Sequence, residues 1–278
     1  MPPACAASPG VAMSTSTLEA AEAETALADR SGEVRASPVR RVLRYVGLPL
    51  ALLVVLAATL YYVNTADLDS IESRLLDPDR LLRATLRHLQ LVAVSTVVVV
   101  LLAVPLGILA TRPSARRYAP LIVGLGNVAQ GVPSLGVLVL TAIFYGIGFG
   151  PAIFALVLYA FLPILRNTIV GLQQVDPFVV ESARGMGLSR MAVLRRIELP
   201  LAVPVVAAGI RTAAVINVGT ATIATLVNAG GLGDIIYQGL VLNRLPVTVV
   251  GAVLAAVLAL LIDYLGGLLE DLLRPRGL

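Results

Sequence analysis

Apolar residues in this chain come in long runs, broken by short polar stretches that carry most of the charge. A helix that crosses a bilayer needs about 20 mostly apolar residues to span about 30 Å of hydrocarbon. Six stretches meet or approach that length: residues 46–63, 89–110, 121–145, 151–165, 201–227 and 247–269. The third is interrupted by Gln130 and Pro133, the fourth is short, and the sixth carries Asp263 near its end. The pattern predicts an all-α polytopic bundle of about six spans. Residues 1–40 are rich in Ala, Ser, Glu and Pro, hold no aromatic residue, and read as a disordered cytoplasmic tail. Residues 41–86 read as an additional N-terminal transmembrane helix and an extracytoplasmic segment, and 87–278 as the main transmembrane domain.

Composition agrees with the pattern. Charged residues make up only 14% of the 278, against about 25% in soluble domains, and mean hydropathy is +0.89. All 21 basic residues are arginine. Without lysine the chain has no nucleotide-binding loop of the Walker A type and no Schiff-base chemistry. One histidine, His88, and one cysteine, Cys5, fall short of a zinc site and exclude an internal disulfide. The net charge of +4 reads as a membrane protein's positive-inside bias and not as a nucleic-acid surface.

Arginine placement gives an orientation. Arg35, Arg40, Arg41 and Arg44 precede the first span, Arg112, Arg116 and Arg117 follow the second, and Arg166, Arg184, Arg190, Arg195 and Arg196 separate the fourth from the fifth. Arg274 and Arg276 follow the sixth. With six spans these share one side, which places both termini in the cytoplasm. The segment 64–88 departs from the rule, with Arg74, Arg80, Arg83 and Arg87 on the other side. An interfacial helix from about Asp79, its arginines reaching headgroups, accounts for it.

The loop 171–200 is the most informative polar stretch. Asp176 followed by Pro177 reads as a helix N-cap and first residue, and Gly185 or Gly187 as its end. Ser189 caps a second short helix, 190–199, ended by Pro200. Val179, Val180, Ala183 and Met186 form an apolar face with no membrane to enter, which implies a covering protein.

Glu181, Ser182, Ala183, Gly187, Ile197, Leu199 and Pro200 stand at the spacing of the Glu-Ala-Ala loop of bacterial ABC importer permeases, with Ser182 in place of the second alanine. The chain from about Arg87 onward resembles permeases of the glycine betaine, choline, carnitine and proline uptake family. His88-Leu89-Gln90-Leu91-Val92, Val104-Pro105-Leu106-Gly107, Gly131-Val132-Pro133-Ser134-Leu135, Leu162-Pro163-Ile164-Leu165-Arg166-Asn167 and Ala229-Gly230-Gly231-Leu232-Gly233-Asp234 carry that resemblance. Methionine permeases share parts of the pattern.

The resemblance implies a type I importer permease in the bacterial cytoplasmic membrane, whose loop 171–200 forms coupling helices against an ATPase subunit. It implies a second permease copy, identical or similar, and an extracytoplasmic substrate-binding protein. ATP and magnesium belong to the ATPase, so this chain holds no cofactor and is not an enzyme. A quaternary ammonium ligand is usually held by aromatic rings. This chain has no Trp and few Phe or Tyr, so such recognition is expected in the binding protein. Uptake of a methionine-like amino acid is the alternative substrate. A secondary transporter is a weaker alternative, because no acid stands near the centre of a span.

Individual residues divide between roles. Glu181 is expected at a helix start, paired with Arg195 or Arg196. Gly187 is a turn or a hinge. Pro133, Ser134, Asn217, Thr220, Gly230, Gly231 and Gly233 are candidates for the translocation path or outer gate. Asn217 and Thr220, with Thr222 and Thr225, line the path or bond between helices, and both readings stay open. Gly219 is expected to allow close helix approach. Arg211 and Asp263 read as structural, and His88 as an interfacial residue and not a ligand.

Overall fold

The structure is a computed structural model and describes residues 38–273. The tail 1–37, with Cys5, and the arginines Arg274 and Arg276 lie outside the described residues. The chain divides into two units between Leu48 and Pro49, and the helix bundle belongs to the second, Pro49–Leu278.

Every described element is helical. Helix α1 is Pro38–Thr65 and α2 is Ser70–Leu75. Helix α3, Pro78–Thr111, starts on the Asp77 N-cap, whose carboxylate accepts from the Asp79 and Arg80 N–H groups. Asp77 before Pro78 supplies both a cap and a first residue that needs no donor, so the helix starts at Pro78. The helix then runs unbroken for 34 residues, about 51 Å at 1.5 Å per residue. The separate interfacial helix expected from Asp79 is therefore absent. Its residues are the first turns of α3, carried past the hydrocarbon because nothing between Asp79 and Leu89 breaks a helix.

The interrupted third stretch is two helices, α4 (Ala119–Gly131) and α5 (Ser134–Tyr145), bent by 96° at Val132–Pro133. Proline donates no hydrogen bond and disfavours a helical residue before it, which fixes the break. Helix α6 is Phe149–Gln173, 25 residues, so the expected short fourth span is long enough to cross. Its extra turns run through Arg166 and Asn167, polar residues that lie beyond the run 151–165.

Helix α7 is Pro177–Gly185 and α8 is Arg190–Val193. A wider π turn over Leu194–Glu198 then passes directly into α9, Leu199–Ile223. The short helix expected to stop at Pro200 does not stop. The Leu199 N–H donates to the Leu194 carbonyl, five residues back, and this widened turn accommodates the proline after it. Helix α10 is Leu232–Val241 and α11 is Leu245–Leu273. Among the described residues, five helices are long and apolar enough to cross a membrane, and α4 with α5 makes a sixth crossing if counted as one span.

Helices α3, α6 and α9 pack on one another at the centre, α4 and α5 lie against α6, and α11 covers α9 and α10. Small residues set the close contacts. A Cβ on Gly107 would come within 2.7 Å of Thr168, and one on Gly209 within 2.6 Å of Asn167. The three central helices each contain an interior proline: Pro105, Pro163 and Pro204.

Between α9 and α11, Arg211 and Asp263 form a two-pronged ion pair, Nε to Oδ1 at 2.7 Å and Nη2 to Oδ2 at 2.6 Å. Gly266 and Gly267 leave room for that arginine, since a Cβ on either would lie about 3 Å from it (2.9 and 3.0 Å). The structural role expected of this pair fits its geometry.

Candidate functional site

Loop 171–200 connects α6 to α9 and ends in a protruding corner. Asp176 caps α7 through the Phe178 N–H at 2.8 Å, and Ser189 caps α8 through the Ala192 N–H at 3.3 Å. Between them Gly187 sits at φ +88, a conformation that side chains with a Cβ rarely adopt. Open space surrounds it, so backbone freedom, and not room, is what the position requires.

The apolar face of this corner differs from expectation. Ala183 is buried against the body of the protein, while Phe178 (77%) and Met186 (75%) stand out with Val179 and Met191. Glu181 and Ser182 are exposed beside them. Glu181 is the fifth residue of α7 and not its first, and it forms no ion pair with Arg195 or Arg196. The acid that does pair here is Glu198. It is 7% exposed and bonds Arg112 at the end of α3, with Nη2 and Oε2 2.5 Å apart. Sequence reasoning passes over it; a lone acid between Ile197 and Leu199, beside Arg195 and Arg196, is the available signal. Ile197 and Leu199 are half-buried in the same turn, and Pro200 is exposed.

The broken span is the second feature. Pro133 and Ser134 lie at the break. Gln130 donates to the Tyr159 carbonyl at 2.8 Å, and the Tyr159 hydroxyl donates to the Val132 carbonyl, one of the groups the break releases. Arg166 bonds the Asn127 side chain at 2.5 Å. Non-helical backbone at membrane depth is tolerated where protein or a watery cavity satisfies it.

At the other end of the bundle, Gly230 (φ +82) and Gly231 (φ +102) turn the chain from a short turn, Ala224–Val227, into α10. Gly231 passes 3.1 Å from the His88 ring by its missing Cβ, and Gly233 lies where any Cβ would strike the Thr222 carbonyl at 2.0 Å. His88 does not face the headgroups. It is fully buried, with Nε2 3.1 Å from the Val218 carbonyl and Nδ1 accepting from the Leu232 N–H at 3.3 Å. This fixes the neutral tautomer, proton on Nε2, and joins α3, α9 and α10. Position on a spanning helix suggests the interface for His88, but the glycine loop folds over it.

The polar residues of α9 separate. Asn217 is fully buried and donates to Ser95 Oγ (2.9 Å) and Thr96 Oγ1 (3.3 Å) on α3. Its Oδ1 has no partner among the described residues. Thr220 is buried beside it, Thr222 bonds the Gly219 carbonyl of its own helix, and Thr225 bonds Asp234. Bonding between helices is thus the geometry at Asn217 and at Thr225. Gly219 has nothing within 4 Å of a Cβ and makes no close approach.

Residues 103–276 match the family described as the binding-protein-dependent transport system inner membrane component. This chain belongs to that family. It is a multi-pass membrane permease component. It is 40% identical to the osmoprotectant import permease protein OsmY of Salmonella typhimurium, over 80% of this chain and 92% of that one. It is 41% identical to the choline transport system permease protein OpuBB of Bacillus subtilis, over 71% and 90%. Among solved structures, a chain of the inward-facing MetNI methionine ABC transporter superposes with a TM-score of 0.64 at 26% identity, covering 75% of this permease and all of that chain. The type I importer permease fold expected from the sequence is the fold found.

Proposed function

We propose that this permease carries an osmoprotectant of the glycine betaine, choline, carnitine or proline kind across the bacterial cytoplasmic membrane, driven by a partner's ATP hydrolysis. The similarity to permeases named for osmoprotectants, choline and carnitine supports the substrate class. A methionine-like substrate is not favoured, since the methionine transporter's likeness in sequence is weaker, at 26%.

The observation that carries the ATP-driven reading is the exposed corner of loop 171–200. Phe178, Val179 and Met186 present apolar surface around Glu181 and Ser182, on a short capped helix with Gly187 as its pivot. Such a surface fits a groove on an ATPase subunit. Loop 171–200 then faces the cytoplasm, as do both termini, and ATP and magnesium stay with the ATPase. A second permease copy, identical or similar, completes the pathway. A substrate-binding protein delivers solute at the other face. Pro133 and Ser134 at the broken span line the path, and Gly230, Gly231 and Gly233 shape the outer gate. Asn217 joins α9 to α3 through Ser95 and Thr96, with Thr220 buried on the same helix. Residues 87–278 form the permease domain, with 41–86 as an added helix and segment.

Uptake of radiolabelled glycine betaine and choline tests both parts. Deletion of the chain abolishes uptake and its return restores it. Gly187→Asp and Glu181→Lys insert in the membrane but do not transport. Normal uptake by both variants removes the docking role. Unchanged uptake of both solutes on deletion, with the ATPase still co-purifying, keeps the importer and rejects the substrate class.

A further inference from the structure

At the end of the bundle away from loop 171–200, Arg80, Arg83 and Arg87 line a cavity of about 220 Å³ with Gly230, Gly231 and Asp234. The ends are distinguished within α3 itself: Arg112, just past its last turn, reaches Glu198, and the three arginines lie in its first turns. Arg80 donates to Gln238 Oε1 at 2.6 Å. Arg87 donates to the Ala229 carbonyl at 3.0 Å and to Gln90 at 2.9 Å, and its guanidinium lies 4.4 Å from the centre of the Phe149 ring. Neither has a carboxylate partner among the described residues, and Arg83 has no hydrogen bond or ion pair there at all. The one acid of the cavity, Asp234, accepts from the Thr225 hydroxyl. Three guanidinium groups thus face one carboxylate in a concave site.

We infer that this cavity binds the phosphate of an anionic phospholipid headgroup, in the leaflet at the end of the bundle away from loop 171–200. The helix gives the depth. About 20 residues cross the hydrocarbon, and 20 counted back from Leu109 reach Gln90. Arg87 then stands at the hydrocarbon edge, with Arg83 and Arg80 roughly one and two turns beyond it, and flexible stems bring their charges to the headgroups. The same turns of α3 expose Leu82, Leu86 and Leu89, an apolar stripe at helical spacing beside the arginines. A soluble partner would leave that stripe against water, whereas an acyl chain covers it while its phosphate meets the guanidiniums. Arginine suits the task because its planar fork meets two phosphate oxygens at once.

Arg83 is the residue to change, because it makes no bond whose loss would disturb the fold. The purified full chain is titrated in detergent with phosphatidylglycerol, with phosphatidylcholine and with inorganic phosphate, and bound lipid is counted by native mass spectrometry. Arg83→Gln is expected to lower phosphatidylglycerol retention about fivefold or more, Arg83→Lys to keep part of it, and Arg74→Gln, outside the cavity, to change nothing. Phosphatidylcholine retention stays the same in all four proteins. Retention of phosphatidylglycerol by Arg83→Gln at the unsubstituted level overturns the inference. If that result comes with reduced solute uptake in cells, the arginines serve a protein partner instead. Displacement of the lipid by millimolar inorganic phosphate assigns the site to free phosphate and overturns the lipid source.

Discussion

Arg112 and Glu198, 86 residues apart in sequence, meet at 2.5 Å and join the end of α3 to the π turn that opens α9. The carboxylate is nearly enclosed and the arginine about one quarter exposed, 26% by side chain. Arg112 also donates to Thr111 Oγ1 and the Ile108 carbonyl, so its head is held by its own helix end as well as by the acid. Removing Glu198 leaves a partly buried guanidinium without its counter-charge. Glu198→Ala should therefore cost about 1–3 kcal/mol of stability. Glu198→Gln, which keeps one hydrogen bond, should cost less. Thermal unfolding in detergent ranks the two; equal melting points for the variants and the parent would contradict the assignment.

Gly187 separates conformational need from spatial need. At φ +88 with open space around it, alanine is unwelcome only because of its Cβ. Asparagine tolerates left-handed backbone better than other side chains. Gly187→Asn should retain more solute-stimulated ATP hydrolysis in the assembled importer than Gly187→Ala, with equal membrane insertion. The reverse order would show that side-chain volume, not φ, governs the corner.

Two other glycines make a matched pair. A Cβ on Gly233 meets the Thr222 backbone oxygen at 2.0 Å, and backbone cannot step aside. Gly233→Ala should prevent the α9–α10 corner from closing, and the protein should fail to accumulate in membranes. Gly219 lies inside α9 with nothing near. Gly219→Ala should be tolerated and can stabilise the helix by about 0.5–1 kcal/mol. Membrane abundance and melting point of the two variants check the contrast.

Acid should loosen α2. Asp69 accepts from the Ile71 and Glu72 N–H groups at 2.8 Å while Glu72 reaches back to the Asp69 N–H. The Glu72 N–H bond, with the Ile71 bond and nearby Arg244, holds the Asp69 carboxyl below its ordinary value. A depressed carboxylate adds stability that is complete above its unfolded pKa and disappears as pH falls through the folded one. Amide exchange at Ile71 and Glu72, corrected for its intrinsic pH dependence, should lose protection only below the usual carboxylate range. Asp69→Asn should remove that dependence.

Much of this architecture is legible in the sequence. Run length locates the crossings, Pro133 locates the bend, and Asp176 and Ser189 locate helix starts, because each is a local rule. What escapes depends on partners distant in sequence. The enclosure of His88 escapes because nothing near it in the chain reveals that Gly231 and Leu232 fold over its ring. Glu198 goes unnoticed for the same reason, its partner lying 86 positions away. Pro200 reads as a stop because a proline usually is one, and the π turn that admits it leaves little mark in composition. Spacing places the exposed side of loop 171–200 correctly at Val179 and Met186 and wrongly at Ala183, since α7 is too short for spacing alone to decide which side the body covers.

Pro105, Pro163 and Pro204 give the bundle uneven stiffness. Each deprives its helix of one backbone hydrogen bond, and bending is easiest where such a bond is missing. The contact of Gly209 with Asn167 and the Pro163 carbonyl, and of Gly171 with Ala202 and Val205, places two of them in neighbouring layers of α6 and α9, toward the end that carries loop 171–200. Pro105 lies six residues from the same end of α3. A push delivered at that loop would therefore meet three rods that bend most easily in the halves nearest it, while His88 and Asn217 hold the far halves of α3 and α9 to each other.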